Sequence, residues 1–194
     1  FWTYTCINCI RTLPYLKDWH DKYADKGLVI LGVHTPEFEF EKEFENVKSA
    51  VEKYDLKYPV VQDNNYATWR AYKNRWWPHK YLIDIDGFIK YDHIGEGAYA
   101  ETERVIQELL KEKMEREGDV KLLGAVDGKV EAVDVEFNKV GTPEIYFGYE
   151  FARGNFGNKE GLQPNEIIEY KLPEEIKFNY AYFEGTWKIN IPSS

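Results

Sequence analysis

Cys6 and Cys9 are the whole thiol complement of this 194-residue chain, and they stand two residues apart at the start of a helical pattern. A bridge between them closes almost no loop. It therefore removes little entropy from the unfolded chain and is a poor structural staple. What such a pair does well at a helix start is exchange electrons. The helix N-terminus offers unpaired N–H groups and a partial positive charge, both of which favour a thiolate at the first cysteine. The second lies one turn on, within reach of a mixed disulfide. A zinc site is the competing reading, and it needs two further ligands. His20, His34, His79 and His93 include no pair at His-x3–5-His spacing, so redox chemistry outweighs metal binding and no cofactor is expected.

The length suits one large domain or two small ones, with 43% hydrophobic and 16% aromatic residues to build a core. A net charge of −9 gives no basic footprint for nucleic acid. No apolar run approaches a membrane span. Phe1-Trp2 reads as the end of a strand begun upstream. With no initiating Met, the expectation is a mature portion or fragment that lacks most of its first strand.

After Cys9, residues Ile10, Leu13, Leu16, Trp19 and Tyr23 follow three- and four-residue steps and predict a helix to Gly27, kinked at Pro14. Leu28–Val33 predicts a strand buried on both faces. Phe40, Phe44, Val47 and Val51 mark a second helix whose stripe is expected in the core. A short strand at Tyr58–Val61, a short helix over 65–73, a hairpin turning at Asp86-Gly87 and a helix over 100–117 follow. From Asp119 the helical period stops. Short β-prone runs at 130–137, 167–172, 178–183 and 186–191 alternate with Gly, Pro and Asn turns. The expected boundary is 118/119, with an α/β domain before it and a small all-β sandwich or jelly-roll-like unit over 119–194.

This order of elements resembles the thioredoxin superfamily. The resemblance rests on the aromatic-rich lead into Cys6-Ile7-Asn8-Cys9, on Pro14 five residues later, and on Trp77-Pro78 before the Lys80 strand. The extra helix after Pro36 is similar to the insertion of the TlpA/ResA-like branch. Gly32-Val33-His34-Thr35-Pro36-Glu37-Phe38, Gly95-Glu96-Gly97-Ala98-Tyr99 and Thr142–Tyr149 further resemble the soluble part of DipZ-type proteins. That family joins a CcdA-like membrane electron carrier to a thioredoxin-like domain and a carbohydrate-binding-module-like β domain.

The resemblance implies a thioredoxin-like α/β domain over 1–118 and an extracytoplasmic thiol–disulfide oxidoreductase acting in envelope thiol reduction or cytochrome c biogenesis. It implies Cys6 and Cys9 as catalytic and a protein disulfide as substrate. It places a cis Trp77–Pro78 peptide beside the thiols and a CcdA-like membrane partner as electron donor. Trp77, Pro78 and Trp2 are the candidate substrate-binding residues, and Glu37 the candidate modulating acid.

Two other classes stay open on the residues. Thr3-x-x-Cys6 echoes a thiol peroxidase site, although the adjacent Cys9 favours disulfide exchange. A binding module with a structural disulfide is the second, and there Tyr146, Phe147, Tyr149, Tyr180, Tyr182 and Trp187 would form a carbohydrate-stacking platform. The same aromatics serve equally as the core of a small sandwich.

Overall fold

A computed structural model describes residues 1–118, 126, 141 and 154–190. They fall in two compact units, Phe1–Val135 and Glu136–Ser194.

In the first unit, helix α1 (Ile7–Tyr23) starts where Cys6, in extended conformation, caps it by accepting the Cys9 N–H on its sulfur. Pro14 lies inside the helix, and Cys9, Thr12, Leu13, Trp19 and Tyr23 form its buried face. The chain leaves through a short 3₁₀ turn and Gly27, whose φ of 103° a side chain would resist.

Strand β1 (Gly32–His34) pairs in parallel with β2 (Val60–Gln62), Gly32 opposite Val60. The strand expected over Leu28–Val33 is thus shorter and later. Among the described residues, those before Gly32 find no ladder partner, and Val29 is 82% exposed.

Phe1-Trp2 joins this pair to the next. The Trp2 N–H donates to the Val33 carbonyl and the Thr35 N–H to that of Trp2, while the Phe1 carbonyl accepts from the His79 N–H at 3.1 Å. His79 opens β3 (His79–Ile83), antiparallel to β4 (Ile89–Ile94). The turn between them is fixed by the Asp84 carboxylate, which accepts the N–H groups of Asp86 and Phe88.

The helix expected after Pro36 divides into a 3₁₀ turn, Glu39–Lys42, and α2 (Phe44–Lys53). Its stripe does not act as one core face. Val47 is buried, but Phe40 and Phe44 are exposed, because the turn at Glu43 breaks the helical phase. A short α3 (Ala67–Ala71) and the long α4 (Tyr99–Glu117) complete the set. Trp19 and Tyr23 pack with Tyr99, Ile106, Leu110 and Met114, joining α1 to α4. Val126 is fully buried in the same cluster, so the first unit draws on chain beyond Gly118.

In the second unit, β5 (Ile167–Tyr170) and β6 (Gly185–Lys188) pair antiparallel. Phe156, Tyr170 and Phe183 meet edge-to-face at 5.2–5.6 Å. Asn158 ties this centre together, donating to the Lys171 and Phe183 carbonyls and accepting the Phe183 N–H. The strand expected over 178–183 is reduced to a bridge between Phe156 and Ala181. The one expected over 130–137 lies outside the described residues.

Candidate active site

Cys6 is partly exposed and Cys9 is buried, and both thiols are free. The asymmetry follows from the helix start. Cys6 occupies the cap position at the surface, and Cys9, one turn on, falls on the buried face. The Cys6 sulfur accepts the Cys9 N–H at 3.3 Å, and its thiol donates to the Trp77 carbonyl at 3.8 Å.

The interaction with Cys9, helped by N–H groups of the first helical turn, holds the Cys6 thiol below its ordinary pKa against the opposing effect of burial. Burial pushes Cys9 well above the ordinary range. Cys6 is thus the readier of the two to ionise, which is the order a nucleophile and its resolving partner need.

The segment facing the dithiol comes from the loop before β3. The Trp77–Pro78 peptide is cis. The Trp77 indole N–H donates to the Thr35 carbonyl at 2.9 Å, and its ring lies 4.2 Å from that of Trp69. Behind Pro78, its carbonyl accepts the Gly95 N–H at 2.8 Å. The buried Lys80 ammonium donates to the carbonyls of Gly95 and Gly97, bracing that loop. Arg11, two residues past Cys9, reaches Glu96 of the same loop at 3.4 Å.

Trp2 is 5% exposed and packs in the core cluster that contains Cys9 and Leu13. It supports the thiols from inside and presents no face to solvent. Of the acids, Glu37 acts on Cys6 through space, raising its pKa as the weakest of the contributors. Glu41 is the acid built into the site. It is fully buried, accepts the Thr5 hydroxyl next to Cys6, and accepts the N–H groups of Glu37 at 2.6 Å and Phe38 at 3.0 Å.

Glu41 escaped the sequence reading because Glu-rich stretches usually mark solvated faces. The available signal was its spacing, three residues after Phe38, where a helix-start carboxylate reaches back to cap-region N–H groups. Thr3 is fully buried, its hydroxyl 3.2 Å from His34 Nε2, and so is held away from a molecule approaching Cys6. Among the described residues, no group of three or more His, Cys, Asp or Glu side chains is placed to hold a metal ion. In the second unit Tyr180 and Trp187 are partly exposed, and Tyr146, Phe147 and Tyr149 lie outside the described residues.

A helix-capping dithiol, a facing Trp-Pro segment and the α/β frame around them define a thioredoxin-like domain with a paired-cysteine site. Comparison with known proteins agrees. Residues 1–92 match the AhpC/TSA family, and residues 142–193 match the thioredoxin-like C-terminal domain family.

Protein DipZ of Mycobacterium tuberculosis is 36% identical over 98% of this chain and 26% of its own length. The thiol-disulfide oxidoreductase ResA of Bacillus cereus is 32% identical over 56% of this chain and 60% of its own. A thioredoxin-like protein solved in solution in the oxidised form superposes with a TM-score of 0.53 at 26% identity, covering 58% of this chain and 75% of that one. The resemblance to the TlpA/ResA-like branch and to DipZ-type proteins therefore holds, and the chain spans about a quarter of the DipZ length.

Proposed function

We propose that this chain is the thiol–disulfide exchange portion of a larger extracytoplasmic reductase. The observation that carries the reading is the pairing of a partly exposed, low-pKa Cys6 with a buried Cys9 whose N–H already lies on the Cys6 sulfur. The Cys6 thiolate attacks one sulfur of a substrate disulfide. A Cys6–substrate disulfide forms, and the other substrate sulfur leaves as thiolate. Cys9 loses its proton and attacks the Cys6 sulfur, releasing the second substrate thiolate and leaving a Cys6–Cys9 disulfide. Two electrons pass to the substrate.

A dithiol or membrane electron carrier must then return two electrons. DipZ likeness favours a CcdA-like membrane protein as that donor and an extracytoplasmic location as the setting. An extended protein segment docks along the backbone of Trp77 and Pro78. Trp2 backs the pair from the core, and Glu37 adjusts the thiolate from outside. The second unit, Glu136–Ser194, serves as a recognition or orienting element.

The test is reduction of insulin disulfides under a dithiol electron source, with Cys6→Ser and Cys9→Ser beside the native chain. Cys6→Ser should abolish turnover. Cys9→Ser should arrest as a mixed disulfide with substrate. Full turnover in Cys6→Ser would overturn the reading, as would hydrogen peroxide consumption outpacing disulfide reduction, which would favour a thiol peroxidase.

A further inference from the structure

Directly behind the docking segment lies a buried histidine whose two ring nitrogens both meet acceptors. His79 Nε2 is 2.7 Å from the Asp92 carboxylate. Its Nδ1 is 2.7 Å from Asn74 Oδ1 and 2.9 Å from the Tyr81 hydroxyl. The Asn74 amide is not free to turn over. Its Oδ1 accepts the Arg75 N–H at 2.9 Å and the Trp76 N–H at 3.4 Å, while its Nδ2 donates to the Trp76 carbonyl at 3.2 Å. The oxygen therefore faces the imidazole in every protonation state.

Two different bond sets follow from that geometry. With both nitrogens protonated, Nε2–H donates to Asp92 and Nδ1–H to Asn74, tying the 74–78 loop to β3. With one proton, Nε2–H keeps Asp92 and the bare Nδ1 accepts from the Tyr81 hydroxyl. Asn74 Oδ1 then faces a lone pair at 2.7 Å, a repulsive contact that the loop relieves by moving away. Tyr81 is the alternative donor that makes the second set self-consistent.

We propose that His79 is a positioning residue for substrate docking, exchanging the Tyr81 hydroxyl for the Asn74 carbonyl as it gains a proton and thereby tightening the segment that presents Trp77 to substrate. This rests on the reading of Trp77–Pro78 as the docking segment.

The titratable groups near the imidazole are Asp92 and His93 from β4 and Tyr81 from β3. The Trp76 ring stands edge-on at 6.4 Å. Burial is the largest influence on the His79 pKa and lowers it, Asp92 works against that, and the net direction is down. The tied state thus forms below the lowered His79 pKa and is released as pH rises through that value, on the acid side of the ordinary histidine range.

The experiment uses the whole chain. Nitrogen-15 spectra across pH should show Asn74 and Trp77 signals moving with the His79 midpoint, and in His79→Gln they should stay flat. Asp92→Asn, at a half-exposed site, should retain the fold and shift the midpoint to lower pH. KM for insulin disulfides should be about fivefold lower with His79 protonated, the equivalent of one hydrogen bond at 1.4 kcal/mol per tenfold. In His79→Gln that step in KM should vanish, while kcat keeps the pH profile set by Cys6. Asn74 and Trp77 signals that ignore the His79 titration would overturn the proposal, and so would a KM step that survives His79→Gln. A coupled titration in a chain that reduces no disulfide at any pH would leave the latch standing and remove the oxidoreductase reading instead.

Discussion

The Glu41 carboxylate accepts the hydroxyl of Thr5, 36 residues away in sequence and next to the nucleophile candidate Cys6. The same carboxylate holds the backbone of Glu37 and Phe38. One buried side chain therefore locks the approach to the dithiol onto the loop after β1. Acceptance of three donors at once explains how a carboxyl group is tolerated with no exposure.

Glu41→Ala strands three donors and should destabilise the chain by about 1–3 kcal/mol, the cost of leaving buried hydrogen-bonding groups unmet. Glu37→Gln is the comparison, since Glu37 acts on Cys6 through space. Because the Glu37 charge raises the Cys6 pKa, its removal should lower that pKa slightly. Urea unfolding and the pH dependence of Cys6 alkylation separate the two acids. Equal stability losses would show that Glu41 has no special place.

Alkylation of the reduced chain near neutral pH should modify Cys6 first. The lowered pKa keeps a thiolate fraction at Cys6 below the ordinary cysteine range, and the fraction falls only as pH drops through that lowered value. Cys9, raised by burial, should stay protected until the chain unfolds. Mass mapping of a limited iodoacetamide reaction checks this, and early label at Cys9 would reverse the two roles.

Val126→Ala should cost about 1–3 kcal/mol, since Val126 fills a core of Trp19, Tyr99, Ile106 and Met114 with no exposure. For the same reason, a chain ending at Val135 should melt higher than one ending at Gly118. Thermal unfolding of the two truncations decides it, and equal midpoints would mean that Val126 adds nothing to the first unit.

Gly157→Ala places a methyl group 2.3 Å from the Tyr182 ring, which must swing away and give up the Lys177 N–H that its hydroxyl accepts. It should unfold or loosen the second unit, read as loss of the near-ultraviolet signal of its aromatic cluster. Cys6 alkylation rates should stay within about twofold, as expected for independent sites, since Gly157 belongs to the second compact unit and Cys6 to the first. A larger change would tie the second unit to the thiol chemistry.

Several features were legible in the chain by itself because each is local. Cys-x-x-Cys before a helical period places a sulfur at the cap and its partner one turn on, the geometry found at Cys6 and Cys9. Asp86-Gly87 set the hairpin turn, and the periodicity over 100–117 set α4, observed at Tyr99–Glu117. The Trp77-Pro78 dipeptide pointed to the segment facing the thiols, where the Trp77 carbonyl stands 3.8 Å from Cys6.

What only the tertiary structure decided depends on which distant groups need each other. The stripe Phe40–Phe44–Val47–Val51 looked continuous, but the chain breaks it at Glu43 so that Glu41 can turn inward to Thr5. Trp2 was a candidate for the substrate face, yet its two backbone bonds to Val33 and Thr35 anchor it in the core beside Cys9. In the sequence His79 stands apart from the other histidines only by following Pro78. Only the fold brings Asn74, Tyr81 and Asp92 onto its two nitrogens. Periodicity and spacing report what a segment does with its own neighbours along the chain. The pairing of a buried charge or imidazole is set by whichever remote donors the packing leaves unsatisfied, and no local pattern records that.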